Sequence, residues 1–221
     1  MTRRPMARCL AAEFLGTALL LAAVAGSGIM AERLAAGNTA IALLANALAT
    51  GAALVVLITV FAPLSGAHFN PCVSLYAALT GGLSWRTASL YMLTQFVAAI
   101  LGIWLAHAMF GLPLLQVSVH LRDGPAQWLA EGVATFGLLL TIAGAVRFSP
   151  AGTPMLVGLY ITAAYWFTAS TSFANPAVTM ARMLTDSFAG IAPQSVPGFI
   201  AAQLLATLVA VRLLPWLFAK T

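Results

Sequence analysis

The sequence predicts an all-α membrane fold: six transmembrane helices and two re-entrant half-helices, arranged as an inverted repeat. Three observations carry this prediction. Apolar character runs the length of the chain, two short apolar segments each open with Asn-Pro, and several motifs recur in the same order in both halves.

The 221 residues are 62% hydrophobic and only 7% charged. A soluble domain of this length carries roughly a quarter charged residues, so this chain cannot clothe itself in a hydrated surface and requires a lipid bilayer. The apolar text continues to Phe218, which a cleavable leader does not explain. The formal net charge is +5, but the basic residues stand singly, without the clustered stripe that binds nucleic acid. Cys9 and Cys72 offer neither a disulfide framework nor metal-ligand spacing, and no metal or cofactor is expected. No polar linker divides the chain. It reads as one domain, 1–221, built of repeats of approximately 1–121 and 122–221.

A helix crossing about 30 Å of hydrocarbon needs about 20 mostly apolar residues. Such stretches lie near 8–30, 40–62, 86–110, 127–147, 153–170 and 197–218, the fifth being the shortest. Backbone groups in lipid must be satisfied within the segment, so these are helices; the alternation of a membrane barrel is missing. The segments Asn70–Leu79 and Asn175–Leu184 are too short to span. At about 15 Å each as helix, they reach half-way, and their ends are tolerable at membrane depth only when buried in protein or facing a watery cavity.

Six spans put both termini on one side. Arg3, Arg4, Arg8, Arg86, Arg147 and Lys220 then share that face against Arg33, Arg122 and Arg182, and the positive-inside rule makes it cytoplasmic.

The halves echo one another. Ala12-Glu13-Phe14-Leu15-Gly16-Thr17 is answered by Ala130-Glu131-Gly132-Val133-Ala134-Thr135, Asn70-Pro71-Cys72-Val73 by Asn175-Pro176-Ala177-Val178, and Gln95 by Gln203. With three spans per half, the second copy enters from the opposite side, and an inverted repeat places its site near the midplane. Asn is a preferred N-cap and Pro suits the first helical position. Asn70 and Asn175 are therefore expected to cap two helices whose N-termini abut in mid-membrane. Each end carries roughly half a positive charge, a barrier to cations and protons, while the Asn amides can donate to a neutral solute. A lone Asn-Pro is usually just a turn or helix start; two at equivalent repeat positions are not.

Ser65-Gly66-Ala67-His68-Phe69-Asn70-Pro71-Cys72 and Phe173-Ala174-Asn175-Pro176-Ala177 resemble the paired Asn-Pro-Ala signature of the aquaporin/aquaglyceroporin (major intrinsic protein) family. The resemblance covers nearly the whole chain. It implies the aquaporin fold, a pore in every subunit, a homotetramer and passage of small neutral solutes. The first motif departs from the pattern at Cys72, a residue small and apolar enough to pack there, although a thiol-reactive pore is the alternative.

By spacing from the two asparagines, the family's selectivity positions fall on Thr50, Ala163, Ser172 and Val178. Most members carry arginine at the last position. A filter of small residues and valine is wide and lacks the fixed cation, and resembles the channels encoded in bacterial arsenic-resistance operons. That likeness implies a bacterial plasma-membrane protein passing arsenite as neutral trihydroxyarsenic, with methylated arsenicals, glycerol and water as further solutes. Arg182, one turn farther along the half-helix, is expected to contact a loop carbonyl or acid rather than to replace the missing cation, with Asp186 a candidate partner.

Glu13 and Glu131 are intramembrane ionisable groups, which suggest function by default. Their duplication favours bracing of the re-entrant loops over a proton relay, and Gln95 and Gln203 read as similar braces. His68 is expected in the cytoplasmic vestibule, as pore lining or as a pH gate. Gly16, Gly102 and Gly137 suit close helix crossings. No nucleophile, base and oxyanion site assembles, so an enzyme is not expected. The competing functions are a secondary transporter, a water or glycerol channel with no arsenic role, and a junction protein with a blocked pore.

Overall fold

Local capping chemistry sets where the helices begin. Asn38 accepts from the amides of Ala40 and Ile41 and opens α2 (Thr39–Ser65), Ser84 caps α4 (Trp85–Met109), and Pro125 sits in the first turn of α5 (Pro125–Phe148). The computed structural model describes residues 5–219; Arg3, Arg4 and Lys220, used above for orientation, lie outside them. The remaining helices are α1 (Met6–Leu34), α3 (Pro71–Leu79), α6 (Thr153–Phe167), α7 (Pro176–Arg182) and α8 (Val196–Leu217). The described residues are all-helical apart from loops.

α1, α2, α4, α5 and α8 are each long and apolar enough to cross a bilayer. α6 has 15 residues, about 22 Å, preceded by a short 3-10 turn at Pro150–Gly152. It ends at Phe167, sooner than the 153–170 of the sequence reading, because Thr168 turns extended (φ −108°, ψ 134°). α3 and α7 are the half-helices, and α7 also stops early, at Arg182.

α1 packs on α2 and α4, and α5 on α6 and α8, so the two halves share one plan; α2 against α6 joins them. The join depends on the absence of side chains. A Cβ on Gly158 would sit 2.6 Å from the Gly51 carbonyl oxygen, and one on Gly51 2.8 Å from the Gly158 carbonyl oxygen. Gly102 lets α4 lie against the backbone of α1 at Ala18, Gly16 admits the Phe69 ring and Gly137 admits Tyr160. Alanines such as Ala25, Ala47, Ala98 and Ala134 fill the fully buried contacts. Close backbone approach through small residues is how helices associate in lipid. Large apolar side chains such as Leu48, Val56, Leu93 and Leu205 point outward, onto the surface that lipid would cover.

Candidate functional site

Each half-helix opens with its asparagine as cap. Asn70 Oδ1 accepts from the Cys72 amide at 2.8 Å; Asn175 Oδ1 accepts from Ala177 and Val178 at 3.0 and 3.2 Å. The caps then reach across the repeat. Asn70 Nδ2 donates to the Ala174 carbonyl at 2.7 Å, and Asn175 Nδ2 to the Phe69 carbonyl at 2.8 Å. Each amide nitrogen has two protons, so each retains one beyond this cross-bond. Pro71, Pro176, Cys72 and Ala177, which follow the asparagines in the chain, are buried. Cys72 is fully buried and stands outside the cavity wall.

The loops feeding the half-helices are strained. Ala67, Phe69, Thr171, Ser172 and Ala174 all adopt positive φ, between 48° and 61°, a region that non-glycine residues seldom occupy. Two buried carboxylates hold them. Glu13 accepts from the amides of His68 (2.9 Å) and Phe69 (2.8 Å), from Ser65 Oγ (2.6 Å) and from Gln95 Nε2 (2.9 Å). Glu131 accepts from the amides of Phe173 and Ala174, both at 2.8 Å, and from Gln203 Nε2 at 2.6 Å. The same glutamines donate onward, Gln95 to Ser74 Oγ and Gln203 to Thr179 Oγ1. Ser74 and Thr179 thus form a further duplicated pair, visible in the sequence as the fifth residue of each Asn-Pro segment.

A cavity of about 640 Å³ runs past both asparagines. At the end bearing the chain termini it is lined by Thr80, Gly82, Arg147 and Phe218; beyond the asparagines by Thr50, Tyr165, Ser172, Val178 and Arg182. His68 lines it on the terminal side, its Nδ1 3.0 Å from Ser74 Oγ and its ring edge-on to Tyr91.

Two sequence expectations need correction here. Ala163 is exposed on the outer surface. α6 instead contributes Val157, Ile161 and Tyr165 to the cavity. These residues are spaced by four and share one helix face, whereas 163 lies about 200° around. Tyr165 is buried and donates its hydroxyl to Thr50 Oγ1 at 3.3 Å. Asp186 does not pair with Arg182: it accepts from the Val119 amide and lies 3.7 Å from His120 Nε2. Arg182 donates its Nε to the Ala189 carbonyl and stacks its guanidinium on the Phe173 ring, 3.4 Å from the centroid.

Sequence reasoning assigned Arg122 only to a face. It lies in the loop before α5, partly buried, and its guanidinium donates to the carbonyls of Gly190 and Phe188 and to Thr171 Oγ1. Burial lowers its pKa from the ordinary arginine value, with Tyr165 and Glu131 opposing that shift.

Half-helices meeting nose to nose, with a cavity between two repeats that extends past both caps, define a pore-forming membrane protein. The family model for "Major intrinsic protein" matches residues 1–172, and the chain belongs to that family; it is a membrane channel, not an enzyme. It is 59% identical over 210 residues to the aquaglyceroporin AqpS of Rhizobium meliloti (strain 1021), covering 95% of this chain and 89% of that one. It is 32% identical over 144 residues to a glycerol uptake facilitator protein of Streptococcus pneumoniae, covering 59% and 61% of the two chains. The aquaglyceroporin of Plasmodium falciparum has the same fold, with a TM-score of 0.71 at 20% identity over 98% of this chain and 97% of that one.

Proposed function

We propose that the channel is a passive facilitator for small uncharged solutes with several hydroxyl groups, glycerol and trihydroxyarsenic among them. The observation that carries this reading is the wall beyond the asparagines. Thr50, Ser172 and Val178 are short and neutral, and Tyr165 supplies a hydroxyl. Such a wall leaves room for a solute wider than water and offers it hydroxyl partners. At the midplane, the half-helix N-termini disfavour cations and protons, and the spare amide proton on each asparagine replaces a hydrogen bond that a neutral solute gives up on leaving water. Thr50, Tyr165, Ser172 and Val178 carry no charge, so a compact polyol or trihydroxy acid meets no ionic barrier among them.

In this reading Asn70 and Asn175 are the solute-contacting pair, His68 lines the vestibule, and Glu13, Glu131, Gln95 and Gln203 position the loops. The protein works as a homotetramer in a bacterial plasma membrane with both termini cytoplasmic. The excess of basic residues in the terminal-side segments of the sequence, Arg3, Arg4, Arg8, Arg86, Arg147 and Lys220 against Arg33, Arg122 and Arg182, supports that orientation, as the family supports the assembly.

The test is a panel of water, glycerol, urea and arsenite permeabilities in proteoliposomes. Glycerol and arsenite should both pass well above protein-free vesicles. Glycerol passage with arsenite at the protein-free rate would remove the arsenic role; passage of water alone would overturn the wide-filter reading.

A further inference from the structure

The wall residues Thr50, Tyr165, Ser172 and Val178 lack a cation, yet an arginine lines the same cavity one helical turn outward. Arg182 is the last residue of α7, is 2% exposed, and lines the cavity with Ser172, Phe173 and Val178. Among the described residues, the Nε bond to the Ala189 carbonyl is the guanidinium's one protein hydrogen bond, so both terminal amino groups stay uncommitted. Arg122, beside the same Phe173 ring, is the opposite case. All three of its nitrogens have protein acceptors, and it stands outside the cavity wall. Neither arginine is ion-paired among the described residues. One guanidinium braces the loop; the other is half-spent.

A second, independent observation points to the same spot. Ser172 lines the cavity, and its hydroxyl is buried and has no protein hydrogen-bond partner. A buried hydroxyl left unsatisfied costs free energy, and this one is held in position by a left-handed backbone (φ 53°) fixed through the neighbouring Phe173 amide on Glu131. The strain is retained where an unpartnered polar group sits at the cavity wall.

We infer that Arg182 and Ser172 form an outer docking station for hydroxylated neutral solutes, with Arg182 supplying the donors that Val178 does not. The inference rests on the channel reading above and deepens it. The guanidinium donates only, so it takes solute oxygens as acceptors; the serine hydroxyl both donates and accepts. A vicinal polyol or trihydroxy acid satisfies both at once. Water needs neither for passage, because it replaces its own hydrogen bonds within the file. Placing the cation one turn outward of Val178 keeps its donors without crowding that wall.

The experiment measures glycerol and water permeability in proteoliposomes for wild type, Ser172→Ala, Arg182→Gln and Arg122→Gln. A hydrogen bond from a charged group corresponds to about tenfold and a neutral one to about threefold. Arg182→Gln should therefore lower glycerol permeability about tenfold and Ser172→Ala about threefold, each with water within about twofold of wild type. Arg122→Gln should leave the glycerol-to-water ratio unchanged. If Arg182→Gln and Ser172→Ala keep the wild-type ratio, whether both fluxes hold or both fall together, the station is refuted and Arg182 is a brace like Arg122. Failure of the channel reading is a separate result: wild-type vesicles no faster than protein-free ones for any solute.

Discussion

Replacing Glu131 by Gln removes one charge and leaves the shape nearly unchanged, which makes it a sharp probe of what the carboxylate does. The carboxylate takes two backbone amides and the Gln203 amide at 2.6–2.8 Å in a fully buried setting. Hydrogen bonds to a charged group contribute about 1.5–3 kcal/mol each, and a buried donor left unmet costs about 1–3 kcal/mol. Gln keeps one acceptor oxygen but turns an NH2 toward a donor, so at least one of the three bonds is replaced by a donor–donor clash. A loss of about 3–5 kcal/mol follows, in line with breaking a buried charge network. The loop it holds carries Thr171, Ser172 and Ala174 at positive φ, each storing about 1–3 kcal/mol of strain; freed, it relaxes, and Ser172 and Phe173 leave the cavity wall. The assay is thermal unfolding of the detergent-solubilised protein with glycerol flux in parallel. Glu131→Gln should lower the apparent Tm and the flux together, and Glu13→Gln, with four donors to lose, at least as much. Normal Tm in both variants, with flux that has lost a pH dependence present in wild type, would refute the bracing argument and indicate a proton relay.

Val178→Arg should cut glycerol passage while sparing water, as measured by stopped-flow; its charge lies about 6 Å along α7 from Arg182, a repulsion of about 3 kcal/mol at an effective dielectric of 20, and so stability should recover when Arg182→Gln is added. Gly158→Ala should destabilise the protein by about 1–3 kcal/mol, read as apparent Tm, because the new methyl meets the Gly51 carbonyl and backbone cannot step aside. Cys72 is fully buried outside the cavity wall, so glycerol flux of a Cys9→Ser variant should be unaffected by a membrane-impermeant thiol reagent; inhibition would place the thiol on the conduit.

Much of the fold is legible because its signals are local. Asn followed by Pro is a local start signal for a helix, and the duplicated glutamates and glutamines advertise the braces in the same order around each cap. The filter is less legible because counting back from Asn175 crosses Thr168–Ala174, a non-helical stretch that follows no helix register. The four-residue spacing of Val157, Ile161 and Tyr165 carried the information that the count missed. Asp186 fails as a partner for a related reason: an i,i+4 pairing needs a continuing helix, and α7 ends at Arg182. The Gly51–Gly158 crossing depends on which two helices meet, a tertiary fact that neither segment contains. Arg122 reads in sequence as one more flanking charge, since its acceptors lie more than 45 residues downstream.

The central claim is that two half-helix caps, bonded across the repeat, frame an open conduit for neutral solutes. Glycerol entry into proteoliposomes of the wild-type protein, measured over rising glycerol concentration with and without an imposed proton or sodium gradient, tests it most directly. The account predicts a rate proportional to concentration through the low millimolar range and indifferent to either gradient. Saturation in that range, or uptake that requires a gradient, would contradict it.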